Sequence, residues 1–408
     1  MFKKIFIALI INALSAYAFS LENTDSLFLS AIKHSQMENY EEALKEAEKA
    51  IKSDSTRYDI LIFMANVYAW QSEYDEALNY ISQAYKVDST NKELYDSWLN
   101  ILLWSRNYKA LLETISLAKN NNYNDEYNIS LKTILAYRGL GNYKAGIDYA
   151  EKNHIVTDSA ATRYVYYEML RLNKQNFLSA YYSLDLVERN KPGHIAYIDY
   201  GFRISRHSLI TRLNYSRRFA TDDFQIEVDY YHVFKNGHYL YSNYGSGIKR
   251  ELYPTHRAGL EYYFPLTQKT EVSFGGRYFN AENNNVYIAT GHLGAYYSNI
   301  WLGFRPYYII SNDGNSLSTV INGRIFKNNP QNYWGVELAY GNSPDERFIA
   351  NQAIETFRLE TYRFKIEKNF LVGAYNEMKI SAGYAYEEYA SNVFRNRFII
   401  ELIFKRKL

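Results

Sequence analysis

After Gly193 the chain stops repeating its apolar residues every three or four positions. It repeats them every second position instead, and keeps that period to its end. In DFQIEVDYYHVF, Phe224, Ile226, Val228 and Tyr230 alternate with Gln225, Glu227 and Asp229. Further on, Leu260 and Tyr262 oppose Arg257 and Glu261, Val272 and Phe274 oppose Glu271 and Arg277, and Val336 and Leu338 flank Glu337. Nearer the end, Ile380 and Tyr384 oppose Lys379 and Glu387, and Phe398, Ile400 and Leu402 oppose Arg397 and Glu401. A soluble sandwich also alternates, but it cannot hold charge in mid-strand on its inner face, whereas a wet lumen can. The runs are about 10 to 13 residues long, enough for a tilted strand to cross a bilayer. Forty-three tyrosines and an aromatic content of 17% fit the girdles of a membrane barrel. The second half therefore reads as an antiparallel transmembrane β-barrel.

Turn residues such as Asn236-Gly237, Asp313-Gly314 and Ser343-Pro344 separate the runs. Candidate strands begin near 196, 208, 223, 238, 255, 269, 284, 299, 316, 331, 353, 376 and 393. That count is odd, while bacterial single-chain barrels have even strand numbers, so twelve strands are expected, with fourteen as the alternative.

The first half carries a different repeat. ENYEEALKEAEKAIKSDST is followed by SEYDEALNYISQAYKVDST, and the aromatic anchors Tyr40, Tyr74, Tyr108, Tyr143 and Phe177 stand 34, 34, 35 and 34 residues apart. Two helices pack closely in such a unit, and Ala31, Ala43 and Ala50, then Ala65, Ala77 and Ala84, supply the small residues at the crossing. Period and residue types resemble the tetratricopeptide repeat, which implies an α-solenoid of about five repeats over residues 19–191, ending at Pro192-Gly193. Solenoids of this type present an inner groove to extended ligands, and Trp70, Trp98, Trp104 and Tyr137 are its candidate residues here.

Residues 1–18, MFKKIFIALIINALSAYA, join two lysines, a short apolar run and the small residues Ala16 and Ala18 two positions apart. These are the parts of a secretory signal peptide, with cleavage expected after Ala18. The chain has no cysteine, which excludes a lipoprotein anchor, disulfides and thiolate chemistry. A net charge of +2, split between a slightly acidic first half and a slightly basic second half, gives no footprint for nucleic acid.

The stretches YSRRF (215–219), YLYSNYGSG (239–247), LYPTHRAGLEYYF (252–264), GGRYF (275–279) and GAYYSNIWLGFRPY (294–307) resemble the YaiO outer-membrane β-barrel family. The likeness runs over most of residues 205–408 and fades after about 345. It implies a barrel domain over residues 192–408, an outer-membrane location with the repeats in the periplasm, and no established enzymatic activity. The order of repeats and barrel also resembles exopolysaccharide export porins, whose helical parts are longer.

No nucleophile, base or metal set emerges: His232 and His238 flank one turn without a third ligand, and SNDGNS (311–316) reads as a plain turn. The expected lumen-facing residues are Glu227, Asp229, Arg257, Glu261, Glu271, Arg277, Glu337, Lys379, Glu387, Arg397 and Glu401. The functional expectation is a non-enzymatic protein, without cofactor or metal, that contacts outer-membrane lipid. Its repeats bind a periplasmic protein or polysaccharide and guide an extended polymer to a conduit through the barrel. The alternative is a plugged barrel that anchors a repeat scaffold, and an outer-membrane enzyme comes third.

Overall fold

A computed structural model describes residues 24–155, 159–188, 190–218, 220–281, 284–311, 314–327, 329–341, 360–390 and 392–408. The expected leader, with Ala16 and Ala18, lies outside these residues, as do Asn312 and Asp313. Two compact units divide the chain, Met1–Asn173 and Lys174–Leu408.

Among the described residues the first unit contains nine helices: α1 (24–36), α2 (Tyr40–Ser53), α3 (Tyr58–Trp70), α4 (Tyr74–Val87), α5 (Lys92–Trp104), α6 (Tyr108–Asn120), α7 (Glu126–Gly139), α8 (Tyr143–Lys152) and α9 (Ala160–Asn173). The anchors Tyr40, Tyr74, Tyr108 and Tyr143 each open the second helix of a pair. Ala31, Ala43, Ala50, Ala65, Ala77 and Ala84 are all fully buried, as close helix crossing requires. The turn inside each pair repeats as closely as the anchors do. Glu38, Ser72, Arg106 and Gly141 occupy the same place, all with left-handed backbone (φ of 61°, 68°, 57° and 69°). The next residue's N–H reaches back to the carbonyl five residues earlier: Asn39 to His34, Glu73 to Tyr68, Asn107 to Leu102 and Asn142 to Tyr137, at 2.9 to 3.0 Å. This is the Schellman end of an α-helix, whose left-handed position suits glycine.

Phe177, the fifth anchor, opens no helix. Phe177–Val187 is β1, the first strand of the second unit. The boundary expected at residue 191 therefore falls at Asn173, and the helical unit is half a repeat shorter than expected. The physical reason lies in FLSAYYSLDLV itself. Leu178, Tyr182 and Leu186 are exposed while Ser179, Tyr181, Ser183 and Asp185 are buried, a period of two that no helix provides.

The strands that follow are β2 (Gly193–Ile204), β3 (His207–Arg218), β4 (Thr221–Val233), β5 (Tyr239–Gly247), β6 (His256–Pro265), β7 (Thr270–Ala281), β8 (Asn284–Tyr297), β9 (Ile300–Ser311), β10 (Gly314–Lys327), β11 (Asn329–Tyr340), β12 (Thr361–Val372), β13 (Asn376–Ala390) and β14 (Val393–Lys407). Each pairs antiparallel with its neighbours in sequence, and β1 pairs with β14, from Phe177↔Lys407 to Val187↔Arg397. The result is a closed barrel of fourteen strands, the alternative to the expected twelve, with β1 as the strand missing from the sequence count.

The outward face is apolar. Leu213, Ile226, Leu260, Phe274, Leu302 and Leu338 are each at least half exposed in the isolated chain. At the rim opposite the barrel's two termini, every hairpin carries one tyrosine whose hydroxyl bonds a polar side chain across the turn. The pairs are Tyr182–His194, Tyr215–Asp222, Tyr244–His256, Tyr278–Asn285, Tyr308–Asn315, Tyr340–Glu360 and Tyr384–Asn396, at 2.6 to 3.5 Å. In each case the partner lies two residues before the residue paired with that tyrosine. Such a ring, greasy below and hydrogen-bonded above, marks a membrane–water boundary.

Ser72→Gly relieves a left-handed serine and should stabilise the helical unit by about 1 kcal/mol, whereas Gly141→Ala should destabilise it by about as much. Both shifts are read from the helical melting transition of the full-length protein. Equal melting of the two variants would refute the assignment of that turn.

Candidate functional site: the charged lumen

Alternation turns one residue in two toward the lumen, and charged side chains meet there across neighbouring strands and, for Arg305 and Glu261, across three strands. Arg212 on β3 is the hub of the first cluster. Its guanidinium reaches Asp199 (Nε, 3.3 Å), Glu227 (Nη1, 2.9 Å) and Asp229 (Nη2, 3.0 Å), all almost fully buried. Asn214 and Asn243 donate further bonds to the same carboxylates, and Arg257 approaches Glu227 at 3.7 Å. Glu261 forms the second cluster, with Ser273, Arg277 (3.4 Å) and Arg305 (2.7 Å), while Glu271 accepts from Tyr239.

On the opposite side, Glu337 takes Arg363 (3.1 Å) and Lys365 (3.6 Å), and Glu401 takes Lys365 (3.7 Å) and the hydroxyl of Tyr181 (2.7 Å). Lys379 pairs with Glu367 (3.5 Å), and Arg397 joins Asp185 (2.7 Å) and Glu387 (3.3 Å). The inward side of the wall thus holds all eleven residues named from sequence. Their partners Arg212, Arg305, Arg363 and Lys365 were not named. All four lie on strands whose facing the alternation did not assign, and Arg305 and Lys365 reach acids two or three strands away, which leaves no local sequence signal.

A loop closes over part of this lumen. Asp223, fully buried on the inner face of β4, accepts backbone N–H groups from Phe224 (2.7 Å), Lys249 (3.1 Å), Glu251 (3.0 Å), Leu252 (2.8 Å) and Tyr253 (3.0 Å). The link between β5 and β6 is thereby held with Leu252 and Tyr253 buried, Tyr253 lying in the field of Arg218, Glu227 and Arg257. Gly247 starts the loop by donating to the Pro254 carbonyl at 3.0 Å, and a Cβ there would meet that oxygen at 2.7 Å. A carboxylate taking this many N–H donors is a strong charge-assisted latch. Beside it, Phe279, Val286, Ile288, Tyr307, Ile309, Val320 and Ala339 form an apolar cluster on β7 to β11. A cavity of about 290 Å³ remains between β1–β2 and β9–β14.

Of the residues proposed for a repeat groove, Trp70 and Trp104 end α3 and α5 and are exposed by 49% and 44%. Trp98 is wedged between Tyr85 and Tyr95, and Tyr137 is half-buried against Tyr149, so both serve packing. Lys132 on α7 is buried beside Asn128; burial pushes its ammonium pKa down against the pull of Asp96 and Asp125. His232 stacks on His207 at 4.4 Å and His238 bonds the Tyr262 hydroxyl at 2.6 Å, so the two do not converge.

Residues 174–346 match the YaiO membrane beta barrel domain. The YaiO match starts at Lys174, the first residue of the barrel unit, and the barrel indicates an outer-membrane location. A comparison with curated proteins finds no match. Among solved structures, a bacterial polysaccharide outer membrane secretin covers 58% of this chain and 99% of its own at 8% identity and a TM-score of 0.39. The KdgM porin covers 55% and 97% at 9% identity and a TM-score of 0.32. Pseudomonas aeruginosa pilF covers 37% and 69% at 18% identity and a TM-score of 0.32.

Leu260 faces outward and Glu261 faces the lumen of the barrel. Leu260→Arg should cost about 2 to 4 kcal/mol of insertion, whereas Glu261→Ala should insert normally; folding yield into lipid vesicles separates the two, and equal yields would overturn the facing. Asp223→Ala should free the β5–β6 loop, so that trypsin cuts the folded barrel after Lys249 or Arg250 while the parent protein resists. Identical digestion patterns would refute the latch.

Proposed function

We propose that this protein is a non-enzymatic outer-membrane conduit, closed at rest, whose periplasmic repeats recruit a protein or an extended polar polymer, polysaccharide being the class that fits best. The observation that carries this reading is the wall itself: charged and hydroxyl-bearing side chains line the lumen at mid-barrel height, around a remaining cavity. Filling a barrel needs no charges. Buried ion pairs contribute little net stability, so a lumen that serves only as filler gains nothing from them. Fourteen strands lie between small filled barrels and open porins.

The even strand number supports the orientation. Both barrel ends lie at one rim, where the described connections are short, such as 205–206 and 298–299, while the longest link, 341–360, lies at the other. Short turns on the periplasmic side are the rule for such barrels, so the helical unit enters from the periplasm.

A second reading, a plugged anchor for a repeat scaffold, is favoured by the Asp223-latched loop. The two part in a planar lipid bilayer. The parent protein should be nearly silent, and a variant with residues 249–254 replaced by two glycines should show discrete conductance steps. Silence from both, with folded barrels verified by heat-modifiable mobility, would rule out the conduit and leave the anchor.

A further inference from the structure

The lumen cavity has a chemical preference of its own. Five cationic side chains line it: Arg305, Arg363, Lys365, Lys379 and Arg397. Only two carboxylates do, Glu337 and Glu401. The acids that pair with Arg305, Lys379 and Arg397, namely Glu261, Glu367, Asp185 and Glu387, do not line the cavity. The acids are therefore held behind the cations, and the surface that a ligand would meet is positive although the lumen is close to neutral as a whole. In a confined, low-dielectric space such an arrangement selects for anions. Guanidinium groups further favour flat or forked oxyanions.

Three tyrosines share the remaining lining with the aliphatic side chains of Ile195, Val320, Ile399 and Ile403 and with Ser183, Asn322 and Gly383. Tyr181 and Tyr197 stack at 4.7 Å, nearly parallel, and Tyr307 lines the same cavity. Aromatic faces beside charged donors make an amphipathic wall, suited to a ligand with apolar ring faces and oxyanions at its edge. The volume, about 290 Å³, lies near the lower end of ligand-sized pockets, about 300 to 1,000 Å³.

Resting on the conduit reading above, we infer that this cavity is a binding subsite for an acidic saccharide, its carboxylate, sulfate or phosphate groups held by the lysines and arginines of β9, β12, β13 and β14. Lys365 and Lys379 give access to the test, because neither is the sole partner of any carboxylate. Glu337 retains Arg363, Glu401 retains Tyr181 and Ser381, and Glu367 retains Arg324 at 3.7 Å. Replacing both lysines by glutamine removes two positive charges without stranding an acid. Lys368, on β12 beside Trp334 and Asn332, provides a single lysine-to-glutamine change on the outward side.

The experiment is calorimetric titration of the detergent-folded full-length protein, and of the 249–254 loop variant, with trigalacturonate, a sulfated trisaccharide, maltotriose and inorganic phosphate. Acidic trisaccharides should bind at least one of the two proteins in a salt-sensitive manner, and the better of them identifies the oxyanion. Maltotriose should not bind, Lys365→Gln with Lys379→Gln should weaken binding at least tenfold, and Lys368→Gln should leave it unchanged. Equal binding of maltotriose, binding of phosphate as tight as that of the saccharides, indifference to the paired lysine changes, or no binding to either protein would each overturn the proposal. Because the measurement is made at equilibrium, it can fail while the loop variant still conducts, which leaves the conduit reading standing.

Discussion

A strand inside hydrocarbon has no water to satisfy its backbone, so every N–H and C=O must be paired, and a sheet meets that demand only by closing on itself. In this protein the closure is the β1–β14 ladder, running from Phe177↔Lys407 to Val187↔Arg397. Remove Phe177–Val187 from the barrel and two edges face lipid. The segment thus cannot complete a fifth helical repeat, although its aromatic anchor keeps the spacing of the four before it. Closure also fixes the two faces. Once register is set, the period of two sends each residue to lipid or lumen, and one slip would exchange them along a whole strand.

The parts of this fold that were legible are those written locally. The anchors Tyr40, Tyr74, Tyr108 and Tyr143 mark the starts of α2, α4, α6 and α8 because each repeat packs against the next in the same way. Glu227 and Asp229, or Glu261 beside Leu260, could be given a face from their own strand alone. What failed at residue 177 was a conflict between two local signals, a helical spacing of anchors and a strand period that sets Leu178, Tyr182 and Leu186 against Ser179, Tyr181, Ser183 and Asp185. Only the non-local need for a partner to β14 decides between them. Strands β8 and β9 were harder for another reason: Val286, Ile288, Tyr307 and Ile309 are buried on the inner side while Tyr287, Tyr308 and Ile310 face out, so both faces are apolar and the alternation vanishes.

The site shows the same division. Which charges turn inward is a local property, but which charges meet is not. Arg212 gathers Asp199, Glu227 and Asp229 from two neighbouring strands, and Arg305 crosses from β9 to Glu261 on β6. Asp223 is the clearest case. Nothing in its neighbourhood distinguishes it from Asp222, yet one binds a tyrosine hydroxyl at the rim and the other gathers the N–H groups of a loop some 26 to 30 residues away.

The latch and the ion pairs also differ in how they respond to water. An ion pair in a lumen gains little net stability, because its members are well solvated when parted, so hydration of its surroundings changes the energy of the wall only modestly. The hydrogen bonds to Asp223 depend on a buried carboxylate, and they hold Leu252 and Tyr253 in the same place as one unit. Breaking them would expose the loop's donors and the carboxylate to solvent together, so the loop is held as one unit by a single side chain. The ion pairs of the wall do not involve this loop, so the cover it makes over part of the lumen depends on one acid and the backbone that it holds.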